Sequence, residues 1–346
     1  MTKLKGVIAA AATPLTADLS IDLDRLVSHC RWLLGDGGCD GINLLGTTGE
    51  ATSFPVRQRI EAMRAVADGG LPLDRFMVGT GAAALDDAVR LTAEARNLGF
   101  AGALLLPPFY YKGIDEDGLV AYVETLVRRV GADGLNLYLY HFPANSGVPY
   151  SADAVARLRD MMPETMKGLK DSSGDLDYSA GLVRRLPGFD VFPSAEGSLG
   201  RAAEHGFAGC ISATANVTGR FAQACWSGEG IVKSQGLAAA VEIRAAIARF
   251  PLVASVKATL GLLTGDSGWN RVMPPLSSLS SSEVETLRES LRSTGACVGR
   301  SLIHLRSSVP GSSMPARPEK GSPAVFRAGN RRTDGPLRHL TVDRAG

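Results

Sequence analysis

Short runs of nearly continuous apolar character alternate along this chain with stretches whose apolar residues recur at helical spacing. The runs are Gly6–Thr13, Gly41–Gly46, Arg75–Gly81, Gly102–Pro107, Leu135–Phe142, Lys167–Asp171, Asp190–Ser194 and Gly209–Ala213. Unbroken hydrophobicity is what a parallel sheet covered on both faces requires. Between the runs the pattern predicts helices over Leu23–Leu34, Val56–Ala67, Ala84–Leu98, Gly118–Val130, Ala152–Met161, Tyr178–Arg185 and Ser198–Glu204. Several of these stop at a glycine just before the next run, as at Leu34-Gly35, Leu98-Gly99 and His205-Gly206. Glycine tolerates the left-handed backbone that closes a helix. Eight strands, each followed by helical sequence, predict a closed (β/α)8 barrel rather than an open doubly wound sheet.

Past the eighth run the pattern is purely helical, over Arg220–Ser227, Gln235–Arg249, Val253–Leu263 and Ser282–Ser293. These helices are expected to pack on the barrel's side. The reading is therefore a barrel over about 1–218, packed C-terminal helices over about 219–296, and a tail over 297–346. In the tail the periodicity vanishes, and Ser, Pro, Gly and Arg make up half the residues. Such a segment has too few apolar groups to offset chain entropy and is expected to be disordered.

Composition narrows the function classes. Formal net charge is +2 overall, but the tail holds nine Lys or Arg against three acids, or +6, which leaves −4 for residues 1–296. Phe326 is the only aromatic among Phe, Tyr and Trp in the tail, so it lacks a base-stacking series and reads as a solvated appendage. No nucleic-acid or membrane partner is expected. Met1–Gly6 is too short and polar for a secretory signal, and no apolar run reaches the ~18 residues of a membrane span. The five cysteines (Cys30, Cys39, Cys210, Cys225, Cys297) are widely spaced and odd in number, which fits reduced thiols in the cytoplasm.

In a barrel of this type the chemistry stands at the C-terminal ends of the strands. Lys170 is the anomaly there, a lysine inside an apolar strand. Desolvation favours the uncharged form of such an amine, which attacks a carbonyl to give an electron-withdrawing imine. A lysine at a strand end also serves simply to reach solvent, and Lys170 alone does not decide between the two. Asp171 points to the opposite face and is expected to pair with a neighbouring helix. Tyr140 ends the adjacent strand, where a phenol can carry protons, although an isolated tyrosine more often fills a barrel. His141, alternating with it, reads as structural. Thr47-Thr48-Gly49 offers hydroxyls and a glycine turn suited to a carboxylate. The five histidines share no ligand spacing, and Walker and Gly-x-Gly-x-x-Gly loops are missing, so neither metal nor cofactor is expected.

Taken together, Gly46-Thr47-Thr48-Gly49-Glu50, Tyr140-x-x-Pro143 with Gly147, and Gly168-Leu169-Lys170-Asp171-Ser172-Ser173-Gly174 resemble the dihydrodipicolinate synthase/N-acetylneuraminate lyase family. Three motifs in order, each on its expected strand, are jointly specific from about Gly6 to Ala296. The resemblance implies a Schiff base on Lys170, proton transfer by Tyr140 with relay through Thr47, and a carboxylate held by Thr48 and Gly49. It also implies that Tyr110 enters a neighbouring subunit's site, giving a homo-oligomer (dimer or tetramer), and that Ile211 faces the substrate through its carbonyl.

The chain departs from the synthases of that family at Asn145, where they carry an arginine for the aldehyde's carboxylate. Asn145, Ser146, Ser172, Ser194 and Glu196 offer hydroxyls, an amide and one acceptor, which suits a neutral or hydroxylated aldehyde better. The leading expectation is a lyase or aldolase joining or splitting pyruvate, or another 2-oxo acid, and such an aldehyde. The alternatives are 4-hydroxy-tetrahydrodipicolinate synthase acting on aspartate semialdehyde, a dehydratase of 2-oxo-3-deoxy sugar acids, and a non-catalytic sugar-acid binding protein.

Overall fold

The computed structural model describes residues 4–294, and the tail expectation lies outside them. Eight parallel strands, β1 (Gly6–Ala10), β2 (Gly41–Leu44), β3 (Phe76–Gly79), β4 (Gly102–Leu105), β5 (Leu137–His141), β6 (Met166–Asp171), β7 (Asp190–Pro193) and β8 (Gly209–Ser212), form one sheet. Its order runs β7-β6-β5-β4-β3-β2-β1-β8, so the two ends meet. The Ala208 N–H donates to the Val191 carbonyl (3.0 Å) across that seam. This is the expected (β/α)8 TIM barrel.

Strand residues alternate between two apolar clusters. Ile42, Leu44, Leu105, Leu139, Leu169 and Val191 face outward against the helices. Ile8, Met77, Leu104, Tyr138, Phe192 and Ile211 fill the interior. The stagger of an eight-stranded barrel advances about one residue per strand, so alternate strands contribute to one layer. Following the register this way puts Ile8, Met77, Tyr138 and Phe192 in a lower layer. The Tyr138 and Phe192 rings are indeed 6.3 Å apart. Tyr138 needs its neighbours flat, because a Cβ on Gly102 or Gly168 would lie 2.7 or 2.8 Å from its ring.

The helices around the barrel are α1 (Leu23–Leu34), α2 (Val56–Asp68), α3 (Leu85–Leu98), α4 (Glu116–Val130), α5 (Pro143–Ser146), α6 (Ala152–Met161), α7 (Leu176–Arg185) and α8 (Ala202–His205). Periodicity placed most of them within two residues. The start of α7 falls two residues before the pattern, where the Asp175 carboxylate caps the N–H groups of Asp177 and Tyr178 and opens the helix at Leu176. Periodicity missed α5, a single turn that Pro143 starts and Gly147, at φ +65°, ends. The helix expected over Ser198–Glu204 is instead a 3-10 turn, Glu196–Arg201, running into α8.

Four further helices follow, α9 (Ala215–Ser227), α10 (Gly230–Ile247), α11 (Leu252–Thr264) and α12 (Ser281–Ser293). They share an apolar cluster of Val217, Ile243, Ile247, Val256, Leu287 and Leu291. Asn216 ties α9 to the barrel. Its amide donates to the carbonyls of Ala10 and Ala213 (both 2.7 Å), and its oxygen accepts from the Ala12 N–H (3.0 Å). The expected apolar run Gly6–Thr13 is strand only as far as Ala10, beyond which the Ala12 N–H is taken up by Asn216. No helix among the described residues is long and apolar enough to cross a membrane.

Candidate active site

The adjacent ends of β5 and β6 bring the candidate pair together, since Tyr140 and Lys170 are register partners. Both are buried, at 5% and 3% exposure, a placement that an unpaired lysine reaches only at a cost. The Lys170 Nζ lies over the Tyr140 ring, 4.2 Å from its centroid, an attractive cation–π geometry. Tyr140 also stacks on Phe142, with centroids 5.8 Å apart. Its hydroxyl is 3.2 Å from the Thr47 Oγ1, which joins β5 to the turn after β2. Burial pushes the Tyr140 phenol up, but the Lys170 charge and hydrogen bonds from Thr47, Ser172 and Lys170 outweigh it and hold the phenol below its ordinary value.

The turn after β2 is built with backbone strain. Leu45 (φ 54°) and Glu50 (φ 55°), two residues with side chains in the left-handed region, bracket Gly46-Thr47-Thr48-Gly49. The Leu45 carbonyl is directed at β3, where a Cβ on Gly79 would meet it at 2.1 Å; glycine there is what allows the turn. Gly49 approaches β1, and its carbonyl accepts from the Thr13 hydroxyl (2.8 Å). Thr47 is exposed at the mouth, whereas Thr48 is buried.

Glu50 anchors this turn to the C-terminal helices. Its Oε1 pairs with the Lys257 Nζ of α11 (2.6 Å), both side chains being fully buried, and its Oε2 accepts from the Met273 N–H (2.6 Å). Burial pulls the Lys257 ammonium below its ordinary value, and the Glu50 carboxylate partly restores it. Lys257→Met is expected to lower stability by about 3–5 kcal/mol, because it strands a buried carboxylate. Glu50→Gln combined with Lys257→Met should recover much of that loss in thermal melts. Equal melting of the single variant and the wild-type protein would mean that the pair contributes nothing.

The other expected site residues divide. Ser194, half-buried at the end of β7, falls by register into the layer of Tyr140. Ser172 follows β6, and its N–H donates to the His141 carbonyl (2.8 Å). Ile211 lies in the inner cluster on β8. Asn145 is exposed on α5. The Ser146 hydroxyl is spent inside that turn, with the carbonyls of Phe142 and Val148 at 3.0 and 2.9 Å. Tyr110 is 74% exposed and packs edge-on against Tyr111, in the loop after β4. From that loop the Lys112 ammonium reaches α5, donating to the carbonyls of Phe109 and Ser146.

Glu196 is a correction. It was expected to face the aldehyde, but it is fully buried and committed elsewhere. Its Oε1 accepts from the hydroxyls of Thr214 and Thr218 (both 2.6 Å), and its Oε2 pairs with the Arg244 guanidinium of α10 (3.3 Å). A carboxylate with both oxygens so occupied holds α9 and α10 to the barrel.

Asp171 turns outward as expected, accepting from the Ser179 hydroxyl of α7 (2.7 Å). The His141 Nδ1 accepts from the Tyr150 N–H (3.0 Å), and its ring stacks on Tyr178. Sequence reasoning passed over the Glu50–Lys257 pair, although a lysine at the centre of the apolar stretch Val253–Leu263 was the available signal. Among the described residues no group of three or more His, Cys, Asp or Glu side chains is placed to hold a metal ion.

A barrel with a buried lysine on β6, laid against a tyrosine on β5, defines a class of lysine-bearing TIM-barrel lyases and aldolases. The chain belongs to the dihydrodipicolinate synthetase family, whose model matches residues 3–294. It is 34% identical over 293 residues to a DapA-like lyase of Chloroflexus aurantiacus, covering 83% of this chain and 96% of that protein. It is 31% identical over 218 residues to the 4-hydroxy-tetrahydrodipicolinate synthase of Cellvibrio japonicus, covering 62% and 72%. In three dimensions it resembles dihydrodipicolinate synthase from Agrobacterium tumefaciens, with a TM-score of 0.77 and 28% identity over 84% of this chain and 99% of that one. The chain is accordingly a lyase or aldolase of this family.

Proposed function

We propose that the protein forms an imine between Lys170 and pyruvate, or a closely related 2-oxo acid, and makes or breaks a carbon–carbon bond to a neutral or hydroxylated aldehyde. The observation that carries this reading is the Lys170 amine lying over Tyr140, whose hydroxyl in turn meets Thr47. The amine adds to the keto carbon, and loss of water gives the protonated imine. Tyr140 supplies the proton to the departing hydroxyl and then helps remove one from the methyl carbon, with Thr47 passing protons onward. The resulting enamine attacks the aldehyde carbon, and hydrolysis returns the free amine. Thr48 and Gly49 hold the 2-oxo acid's carboxylate, and Ile211 faces it through its carbonyl.

The aldehyde end is lined by Ser172, Ser194 and Asn145, with no arginine at 145. Losing a fixed bidentate cation removes the preference for a second carboxylate. A panel pairing pyruvate with hydroxylated aldehydes and with aspartate semialdehyde tests this. The hydroxylated aldehydes are expected to react faster, and a clear preference for aspartate semialdehyde would reverse the assignment. One observation favours the synthase reading: Lys112 brings a cation to the α5 turn that carries Asn145. Loss of activity toward aspartate semialdehyde in Lys112→Met would support that second reading. Dehydration of a 2-oxo-3-deoxy sugar acid uses the same imine and belongs in the panel. A pure sugar-acid binding protein would turn over none of these.

Tyr110 is assigned to a neighbouring subunit's site, which its exposure in the single chain supports. Turnover should therefore fall together with assembly on dilution, as followed by light scattering. A fully active monomer would contradict it. Four cysteines, Cys30, Cys39, Cys210 and Cys225, are buried and free, which supports a reducing compartment such as the cytoplasm. The barrel with its trailing helices is assigned as one working unit, and the 297–346 segment as an appendage to it.

A further inference from the structure

Asn43 is a polar side chain inside the barrel that the proposed chemistry leaves unused. Its strand neighbours Ile42 and Leu44 both face outward, so Asn43 on β2 projects into the interior. It is fully buried, and neither its Oδ1 nor its Nδ2 has a hydrogen-bond partner among the described residues. Leaving a buried amide unpaired costs free energy, on the order of 1–3 kcal/mol per group, that a leucine of the same shape would not incur.

Its position is specific. Asn43 pairs with Met77, and one residue onward per strand the register leads from Val78 through Ala103 to Leu104. From Leu104 it continues through Tyr138, Leu139 and Leu169 to Lys170. In the other direction it leads through Ala10, Ala9 and Ser212 to Ile211. One layer thus holds Asn43, Leu104, Lys170 and Ile211, with Asn43 across the barrel from the lysine. The amide also sits directly under the strained turn, since a Cβ on Gly46 would lie 2.4 Å from its Nδ2.

We propose that Asn43 is a further substrate-binding residue, whose amide donates from beneath to the carboxylate of the 2-oxo acid held by the Gly46–Gly49 turn. The inference rests on the imine reading above and deepens it. The group nearest the end of β2 is the carboxylate, and a carboxylate can accept from an amide N–H while also accepting from the turn. An amide unpaired in the free protein and paired in the complex contributes wholly to binding, at the expense of the free protein's stability.

The test compares two measurements on Asn43→Leu: the pyruvate concentration that half-saturates borohydride trapping on Lys170, and the melting temperature without ligand. The proposal expects half-saturation to rise about tenfold or more, the scale of a hydrogen bond to a charged group, while the melting temperature holds or rises. Should the leucine variant fail to fold, Asn43→Asp keeps the shape and places an acceptor under the carboxylate, so it should weaken binding further. Half-saturation unchanged in a folded variant would overturn the proposal while leaving the imine reading intact. Wild-type protein that pyruvate stabilises against melting but does not label covalently would sink the imine reading alone, and the thermal shift would then serve as the binding measure for Asn43→Leu. Neither labelling nor stabilisation of the wild-type protein would remove both.

Discussion

Borohydride added together with pyruvate is expected to inactivate the protein and attach one reduced pyruvyl group per chain, on Lys170. The expectation follows from chemistry that separates this amine from other lysines. Lys112 is exposed and donates to two carbonyls, and Lys257 is locked to Glu50 inside the helical layer. Lys170 stands buried against a tyrosine face, where the proposed reaction has the carbonyl arrive. Lys170→Ala should abolish labelling and lower turnover by about 10³-fold or more, as the loss of a covalent nucleophile does. Its fold should survive, since an alanine leaves no stranded charge. Peptide mapping that found the adduct on Lys112 or Lys257 would end the assignment.

The second large effect belongs to Tyr140. Tyr140→Phe preserves the ring under the Lys170 Nζ and the stack on Phe142 but removes the hydroxyl that meets Thr47. Turnover should drop by about 10²-fold, the usual scale of a general acid–base group, while trapping of pyruvate on Lys170 persists at a reduced rate. The sign of the pH effect follows from what surrounds the phenol. Burial raises its value, and the Lys170 charge with the Thr47 and Ser172 contacts lowers it by more, so the net direction is downward from 10. The limb of the pH–rate profile that reports Tyr140 is therefore expected below 10, and Thr47→Val, which removes a lowering contact, should move it upward. A phenylalanine variant with near-normal kcat would reduce Tyr140 to packing.

What the sequence determined by itself is the set of features that local physics controls. Continuous apolar runs and helical patterns, with glycine stops, marked eight strands and the helices between them, because burial on both sheet faces leaves a continuous apolar record. Lys170 was legible as an exception to that record, and the outward turn of Asp171 followed from strand alternation alone. The starts of α9 and α10 were less legible, each falling five residues before the expected Arg220 and Gln235; neither has a side-chain cap, and the first five residues of α9 are all buried, so no polar face marks them.

Only the tertiary structure decided which polar groups share a partner. Glu196 read as a free acceptor at a strand end, yet Thr214 just before α9, Thr218 on α9 and Arg244 on α10 take up both its oxygens. Glu50 and Lys257 lie far apart in sequence and form one buried pair. Nothing in the linear pattern singles out Asn43; the barrel's stagger sets it in the layer of Lys170, with its amide unpaired among the described residues. Pairing and layering of this kind depend on how strands close around an axis, a property of the whole sheet that no local pattern of hydrophobic and polar residues encodes.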